Sequence, residues 1–175
     1  MQEEQKGGEN NSSLYNRNKI KTNDVLVYCD ASFKNNQKNI CSTYSFVVIM
    51  DNGVIIAKSG SIKNPTNIFE AEVASIINSV SFILGNINSF DKPIRRRRIT
   101  IHSDNIGAIQ LLESAHCINR LYIDKYLFFK SIRKSLDELG FDIKIVKIKS
   151  HLDKKSQEYS IHHKIHDVCD ILSKI

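Results

Sequence analysis

The chain has 175 residues, 41% of them apolar, which is enough to bury the core of one compact domain and excludes a multidomain machine. Lys and Arg number 25 against 19 Asp and Glu, a formal charge of +6 that leans toward a polyanionic partner such as nucleic acid. No apolar run approaches the ~18 residues of a membrane span, and the acidic, Asn-rich start lacks the apolar centre of a signal peptide, so an intracellular protein of cytoplasm or nucleus is expected.

Residues 1–23 carry few apolar side chains and several Gly, Asn and Ser, too little to offset the entropy of ordering, so a disordered leader is expected before a single domain at 24–175. Val25 to Asp30 is a short apolar run that suits a buried strand delivering an acid at its end. Ser42–Met50 and Val54–Ser59 read as two further strands around Asp51-Asn52-Gly53, where Asn-Gly supplies the positive φ that a tight hairpin needs. From Pro65 the period changes. Val73, Ile76, Ile77, Val80, Ile83 and Leu84 share one helical face, with Asn67 at the N-cap and Glu70 three residues on.

A polar loop ending in Arg95–Arg98 leads to a strand at Ile99–Ser103, and Asp104 follows at once. Helices are expected through Ile106–Leu112 and from about Asn119 to Leu139, with a Gly140 stop and then a strand from Phe141 to Ile148. The tail reads as a helix from Ile161, with an apolar stripe at Ile161, Ile165, Val168, Leu172 and Ile175. The order is β-β-β-α-β-α-α-β-α: an α/β fold with a five-stranded mixed sheet and helices on both faces. The four cysteines, Cys29, Cys41, Cys117 and Cys169, form no CxxC pair and read as reduced, small buried side chains.

Asp30 and Asp104 stand at the ends of separate apolar strands. If those strands are neighbours, ~4.8 Å apart, the two carboxylates converge and repel unless they share a proton or a cation. Oxygen ligands of this hardness suit Mg²⁺ or Mn²⁺. On the first helix Glu70 and Glu72 flank the apolar stripe on either side, and on the last helix Asp167 and Asp170 both point off it, so periodicity selects neither member of either pair.

Five segments together resemble the type 1 ribonucleases H, including those fused to reverse transcriptases. They are Asp30-Ala31-Ser32, Ala71-Glu72-Val73-Ala74-Ser75-Ile76, His102-Ser103-Asp104-Asn105, Lys149-Ser150-His151 and Val168-Cys169-Asp170-Ile171-Leu172. The resemblance spans roughly residues 24–175 and implies a ribonuclease H-like fold without a basic protrusion. It implies that Asp30, Glu72, Asp104 and Asp170 hold two Mg²⁺ or Mn²⁺ ions and that the RNA strand of RNA–DNA hybrids is cut to leave a 5′-phosphate and a 3′-hydroxyl. Its frames prefer Glu72 to Glu70 and Asp170 to Asp167, and His151 matches a loop histidine that assists proton movement or product release.

The sequence departs from the family where Ser150 precedes His151, where His166 replaces the usual Asn, and in a longer gap between His151 and Asp170. His162 or His163 is a substitute for His151 under that reading. A zinc site at His162, His163 and His166 lacks nearby cysteines, and a solvated helix start is the simpler expectation. Ser32, Asn67 and Asn105 are candidate contacts to a hybrid's minor groove. Arg95–Arg98, Lys125, Lys130, Arg133 and Lys134 are candidate phosphate contacts, with plain solvated charge as the alternative. The expected setting is a monomer, alone or within a reverse transcriptase, replication or ribonucleoprotein assembly. The competing functional readings are a catalytically impaired module that binds hybrid or RNA, and a DNA-directed nuclease of the same fold.

Overall fold

The computed structural model describes residues 24–36, 39–50, 53–62, 66–89, 96–114 and 120–175. The expected leader, Asp51 and Asn52 of the turn, Pro65, Arg95, Cys117 and Asn119 lie outside the described residues. The elements are β1 (Val25–Asn36), β2 (Asn39–Ile49), β3 (Ile55–Ile62), α1 (Ile68–Gly85), β4 (Arg97–Ser103), α2 (Ile106–Glu113), α3 (Ile123–Glu138), β5 (Phe141–Lys147) and α4 (Ile161–Ser173). They form one five-stranded sheet in the order β3-β2-β1-β4-β5, antiparallel from β3 to β1 and parallel from β1 to β5. This is the mixed α/β architecture that the element order predicts.

Alternation along β1 divides the core in two. Val25, Val27 and Cys29 join Val73, Ile76, Val80 and Ile83 of α1, together with Phe129 and Leu136 of α3, in the larger cluster. Leu26 and Tyr28 point to the opposite face and pack with Val47, Ile49 and Cys169 under α4. Helices therefore cover both faces of the sheet. Helix α1 has 18 residues and a mean hydropathy of 1.5, so by length and composition it could span a membrane, correcting the expectation that no run comes near one. Its apolar face is the one packed into the larger cluster.

Several boundaries move for identifiable reasons. Strand β1 continues past Asp30 to Asn36 because β2 pairs with it along that whole length, from Leu26↔Ile49 to Asn36↔Asn39. Strand β4 starts at Arg97, since Arg97 and Arg98 pair with Phe141 and Asp142 instead of lying in a loop. A short 3₁₀ turn at Arg120–Tyr122 precedes α3. Between β2 and β3, Gly53 has φ 83° and its N–H donates to the Met50 carbonyl at 3.0 Å, while the Met50 N–H donates to the Val54 carbonyl at 2.9 Å. Gly53 thus supplies positive φ where the hairpin is expected to need it.

The α4 expectation needs the largest correction. His166, Cys169 and Ser173 form its buried face, whereas Val168 and Ile175 of the expected apolar stripe are 45% and 90% exposed. Ile165 and Leu172 flank the buried face and reach the smaller core cluster. Polar contacts dock the helix: Ser45 Oγ donates to the Cys169 carbonyl at 2.6 Å, Thr43 Oγ1 donates to the Ser173 carbonyl, and Cys169 Sγ donates to the Tyr28 carbonyl at 3.2 Å. Among the cysteines described, Cys29 and Cys169 are buried as expected but Cys41 is exposed.

Asn67 caps α1, its side chain accepting from the Glu70 N–H at 3.0 Å. Replacing a cap of this kind removes one satisfied helix donor, so Asn67→Ala is expected to lower stability by about 1 kcal/mol, read as a shift of the urea midpoint. An unchanged midpoint would show that the cap contributes nothing to stability.

Candidate active site

The parallel pairing of β1 with β4 runs from Val25↔Ile99 to Tyr28↔His102 and stops there. Asp30 and Asp104 each lie two residues beyond that last pair, so the register sets them side by side where the two strands part. Asp30 is 5% exposed. Ligand atoms of Asp30, Asp104 and His166 all lie within 4.8 Å of one another, which makes them a candidate metal-binding group.

Helix α1 brings Glu72 to the same place. Glu72 is buried, its Oε2 has no hydrogen-bond partner, and Asp30 and Asp104 are the charges that act on it. Glu70 faces away, accepting from Lys125 Nζ at 2.5 Å and from the Thr66 N–H at 3.0 Å, and these partners hold its carboxyl below the usual range. The structure thus separates two acids that periodicity could not.

Helix α4 closes the cleft with Asp170 and His166. Asp170 hydrogen-bonds to Asp30 and accepts from Lys174 Nζ at 2.6 Å on its outer side. Asp167 also borders the cleft, but it accepts a 2.5 Å hydrogen bond from the Tyr159 hydroxyl. The three histidines diverge. His162 Nδ1 meets the Tyr28 hydroxyl at 2.6 Å, His163 Nδ1 accepts from the Ser160 N–H at 3.0 Å at the helix start, and His166 turns into the acids. They share no single zinc site; residues 161–165 at the helix start are partly or fully exposed, while His166, further in, is 4% exposed.

The sequence offers His166 only as a zinc candidate and as a departure from the family's Asn, and the structure places it with the acids instead. The available signal was its spacing, one helical turn before Asp170. His151 sits on the loop between β5 and α4 at φ 55°, and among the described non-glycine residues it alone has positive φ. Together with Ser150 it lines the cleft beside Asp104. Backbone strain of this kind clusters at ligand-binding positions. The loop is braced by an ion pair between Lys149 and Glu158 at 2.7 Å.

Electrostatics at the centre are unfavourable for an empty cluster. Burial, then the nearby Asp104, pushes the Asp30 carboxyl up to about 7. Burial, then Asp30 and Asp104, pushes Glu72 up to about 9. The charges acting on both are carboxylates, and the hydrogen bonds that Asp30 accepts from the Ala31 N–H and the Ser173 hydroxyl ease them only in part. A divalent cation would offset them, and the orphaned Glu72 oxygen beside two converging aspartates is a donor set that fits one.

The remaining candidates are dispersed. Asn67 and Asn105 cap α1 and α2, and the two helix starts adjoin: a Cβ on Gly107 would come within 3.1 Å of the Phe69 ring. Ser32 lies on β1 and its carbonyl accepts from Ser42 Oγ at 3.0 Å. Arg96 pairs with Asp137 and Arg98 with Asp142 at the start of β4, about 20 Å along the strand from Asp104. Lys125, Arg133 and Lys134 are paired with Glu70, Glu113 and Glu138, and Lys130 lies over the Tyr126 ring.

The sheet order, the helix placement and the acids at the strand divergence define a ribonuclease H-like fold, and comparison with solved structures agrees. The chain is similar to the prototype foamy virus protease-reverse transcriptase, with a TM-score of 0.64 at 15% identity, covering 86% of this chain and 20% of that one. It is similar to RNase H1 of the halophilic archaeon Halobacterium salinarum, with a TM-score of 0.58 at 16% identity, covering 85% of this chain and 93% of that one. It is also similar to LC11-RNase H1 in complex with an RNA/DNA hybrid, with a TM-score of 0.60 at 13% identity and coverages of 85% and 93%. No protein-family model and no curated protein sequence matches the chain.

Proposed function

We propose that the chain is a divalent-metal-dependent endonuclease that hydrolyses the RNA strand of RNA–DNA hybrids, leaving a 5′-phosphate and a 3′-hydroxyl. The observation that carries this reading is the buried, uncompensated carboxylate cluster at the divergence of β1 and β4 in a ribonuclease H-like fold. A scaffold has no use for acids that repel one another. Asp30, Glu72, Asp104 and Asp170 would hold the ions, two Mg²⁺ or Mn²⁺, which supply an activated water and charge stabilisation at phosphorus.

The protein's own groups do the rest. Asp30 and Glu72, sealed from water, are oriented by their strand and helix before any ligand arrives, so little reorganisation is needed when it does. His151 borders the cleft from a strained loop and can carry a proton between the reacting oxygens and solvent. Ser32 and the capping residues Asn67 and Asn105 would meet the hybrid's minor groove beside the acids. The hybrid bound in one structural neighbour and the reverse transcriptase containing another support both the substrate and an assembly with a polymerase.

The test is cleavage of an end-labelled RNA–DNA hybrid, with RNA and DNA duplexes as controls, at varied Mg²⁺ and Mn²⁺. Metal-dependent cutting of the hybrid alone, lost in Asp104→Asn, is the expected result. Hybrid bound but uncut with either metal would instead make the chain a binding module, and cutting of the DNA duplex would make it a DNA-directed nuclease.

A further inference from the structure

Three observations converge on His166. It is 4% exposed, yet its Nε2 has no hydrogen-bond partner, a costly state for a buried ring nitrogen. Its ring hydrogen-bonds to the backbone of Cys29, and because Nε2 is unpartnered that bond belongs to Nδ1. A proton held at Nδ1 by a carbonyl leaves the Nε2 lone pair free, which is how ligating histidines are usually fixed and aimed. The third observation is that a ring nitrogen lies within 4.8 Å of carboxylate oxygens of both Asp30 and Asp104.

We propose that His166 is itself a metal ligand through Nε2, so that the centre is a mixed nitrogen–oxygen site favouring a first-row transition ion such as Mn²⁺ over Mg²⁺. The proposal rests on the metal centre of the nuclease reading and adds to it the kind of ion. Carboxylates alone suit Mg²⁺ and Mn²⁺ alike, whereas an imidazole donor favours the transition ions and is a poor exchange for one of the oxygens that Mg²⁺ prefers. His162, one turn earlier on α4, is engaged by Tyr28 and offers no second imidazole to the site. His151 lines the same cleft and is the residue from which His166 has to be distinguished.

The test uses the full chain, stripped with chelator and titrated with Mn²⁺ alone, followed by electron paramagnetic resonance. Nitrogen coupling from a bound imidazole is expected in the wild type and in His151→Ala, and is expected to vanish in His166→Asn, whose amide keeps the shape of the site. Competition between the ions should show the Mn²⁺ preference over Mg²⁺ falling at least about tenfold in His166→Asn. Mn²⁺ that binds in a manner lost in Asp104→Asn but shows no nitrogen coupling overturns the imidazole ligand and leaves the nuclease reading standing. Coupling that disappears in His151→Ala and survives in His166→Asn assigns the ligand to the loop and also overturns the proposal. Failure of Mn²⁺ to bind at all overturns both.

Discussion

Glu72→Gln is expected to make the metal-free protein harder to unfold while removing the proposed nuclease activity. The side chain keeps its shape, so the packing of α1 on the sheet is retained. What changes is the charge: a carboxyl pushed up to about 9 by burial and two neighbouring aspartates is replaced by a neutral amide. At pH 8 the wild-type carboxyl has to take up a proton on folding, and removing that cost, less the cost of an imperfectly paired amide, should raise unfolding stability by about 1–3 kcal/mol in chelator. Turnover of hybrid should fall by at least about a thousandfold, since one ligand's share of transition-state stabilisation is several kcal/mol. Urea unfolding and a cleavage assay on the same preparation check both halves. A variant that is both less stable and still active would show that Glu72 serves packing and not the metal centre.

The second expectation concerns pH. For Asp30 and Glu72 the folded values, about 7 and about 9, lie above the ordinary ones, so between those limits the native state holds more protons than the unfolded chain. Stability must then fall as pH rises. Buried histidines act in the opposite sense: burial lowers His102 to about 4, so the unfolded chain binds the extra proton and stability rises with pH until about 6.5. Below pH 6.5 the two trends offset each other. From pH 6.5 to 9 the carboxylates dominate, joined toward pH 9 by the buried Cys29 and Cys169 thiols, which burial also pushes up, and metal-free stability should drop by about 4 kcal/mol or more. Saturating Mn²⁺ should reverse that slope, because the ion binds the deprotonated acids. Unfolding midpoints in chelator that stay flat or climb from pH 6.5 to 9 would refute the picture of a buried, uncompensated cluster.

Much of the fold could be read from local chemistry. The apolar face of α1 appears as a helical period, and Val73, Ile76, Val80 and Ile83 are all buried as that period requires. The convergence of Asp30 and Asp104 follows once their strands are taken as neighbours, and the register sets them level. Helix α4 was legible as a helix but not in its orientation. Its buried face is His166, Cys169 and Ser173, residues that hydropathy ranks below the exposed Val168 and Ile175. They contact Tyr28, Cys29, Asp30 and Ser45, far away in sequence, and no local pattern encodes such partners. The choice between Glu70 and Glu72 was hidden for the same reason, since it depends on Lys125 reaching Glu70 from α3.

The docking of α4 on β1 also sets a timetable for synthesis. Ser173 donates to Asp30 across 143 residues, so the cleft draws on both early and late parts of the chain. At about 5–20 residues per second, a ribosome that has made Asp30 needs about 7–30 s more to make Ser173. Through that interval Leu26, Tyr28, Val47 and Ile49 have no cover from Cys169, Ile165 and Leu172. The nascent chain therefore exposes a sticky sheet face and lacks Asp170 and His166. The acid cluster at the cleft is thus the last part of the fold to be completed, and no ligand that needs Asp30 and Asp170 together can be held before α4 docks.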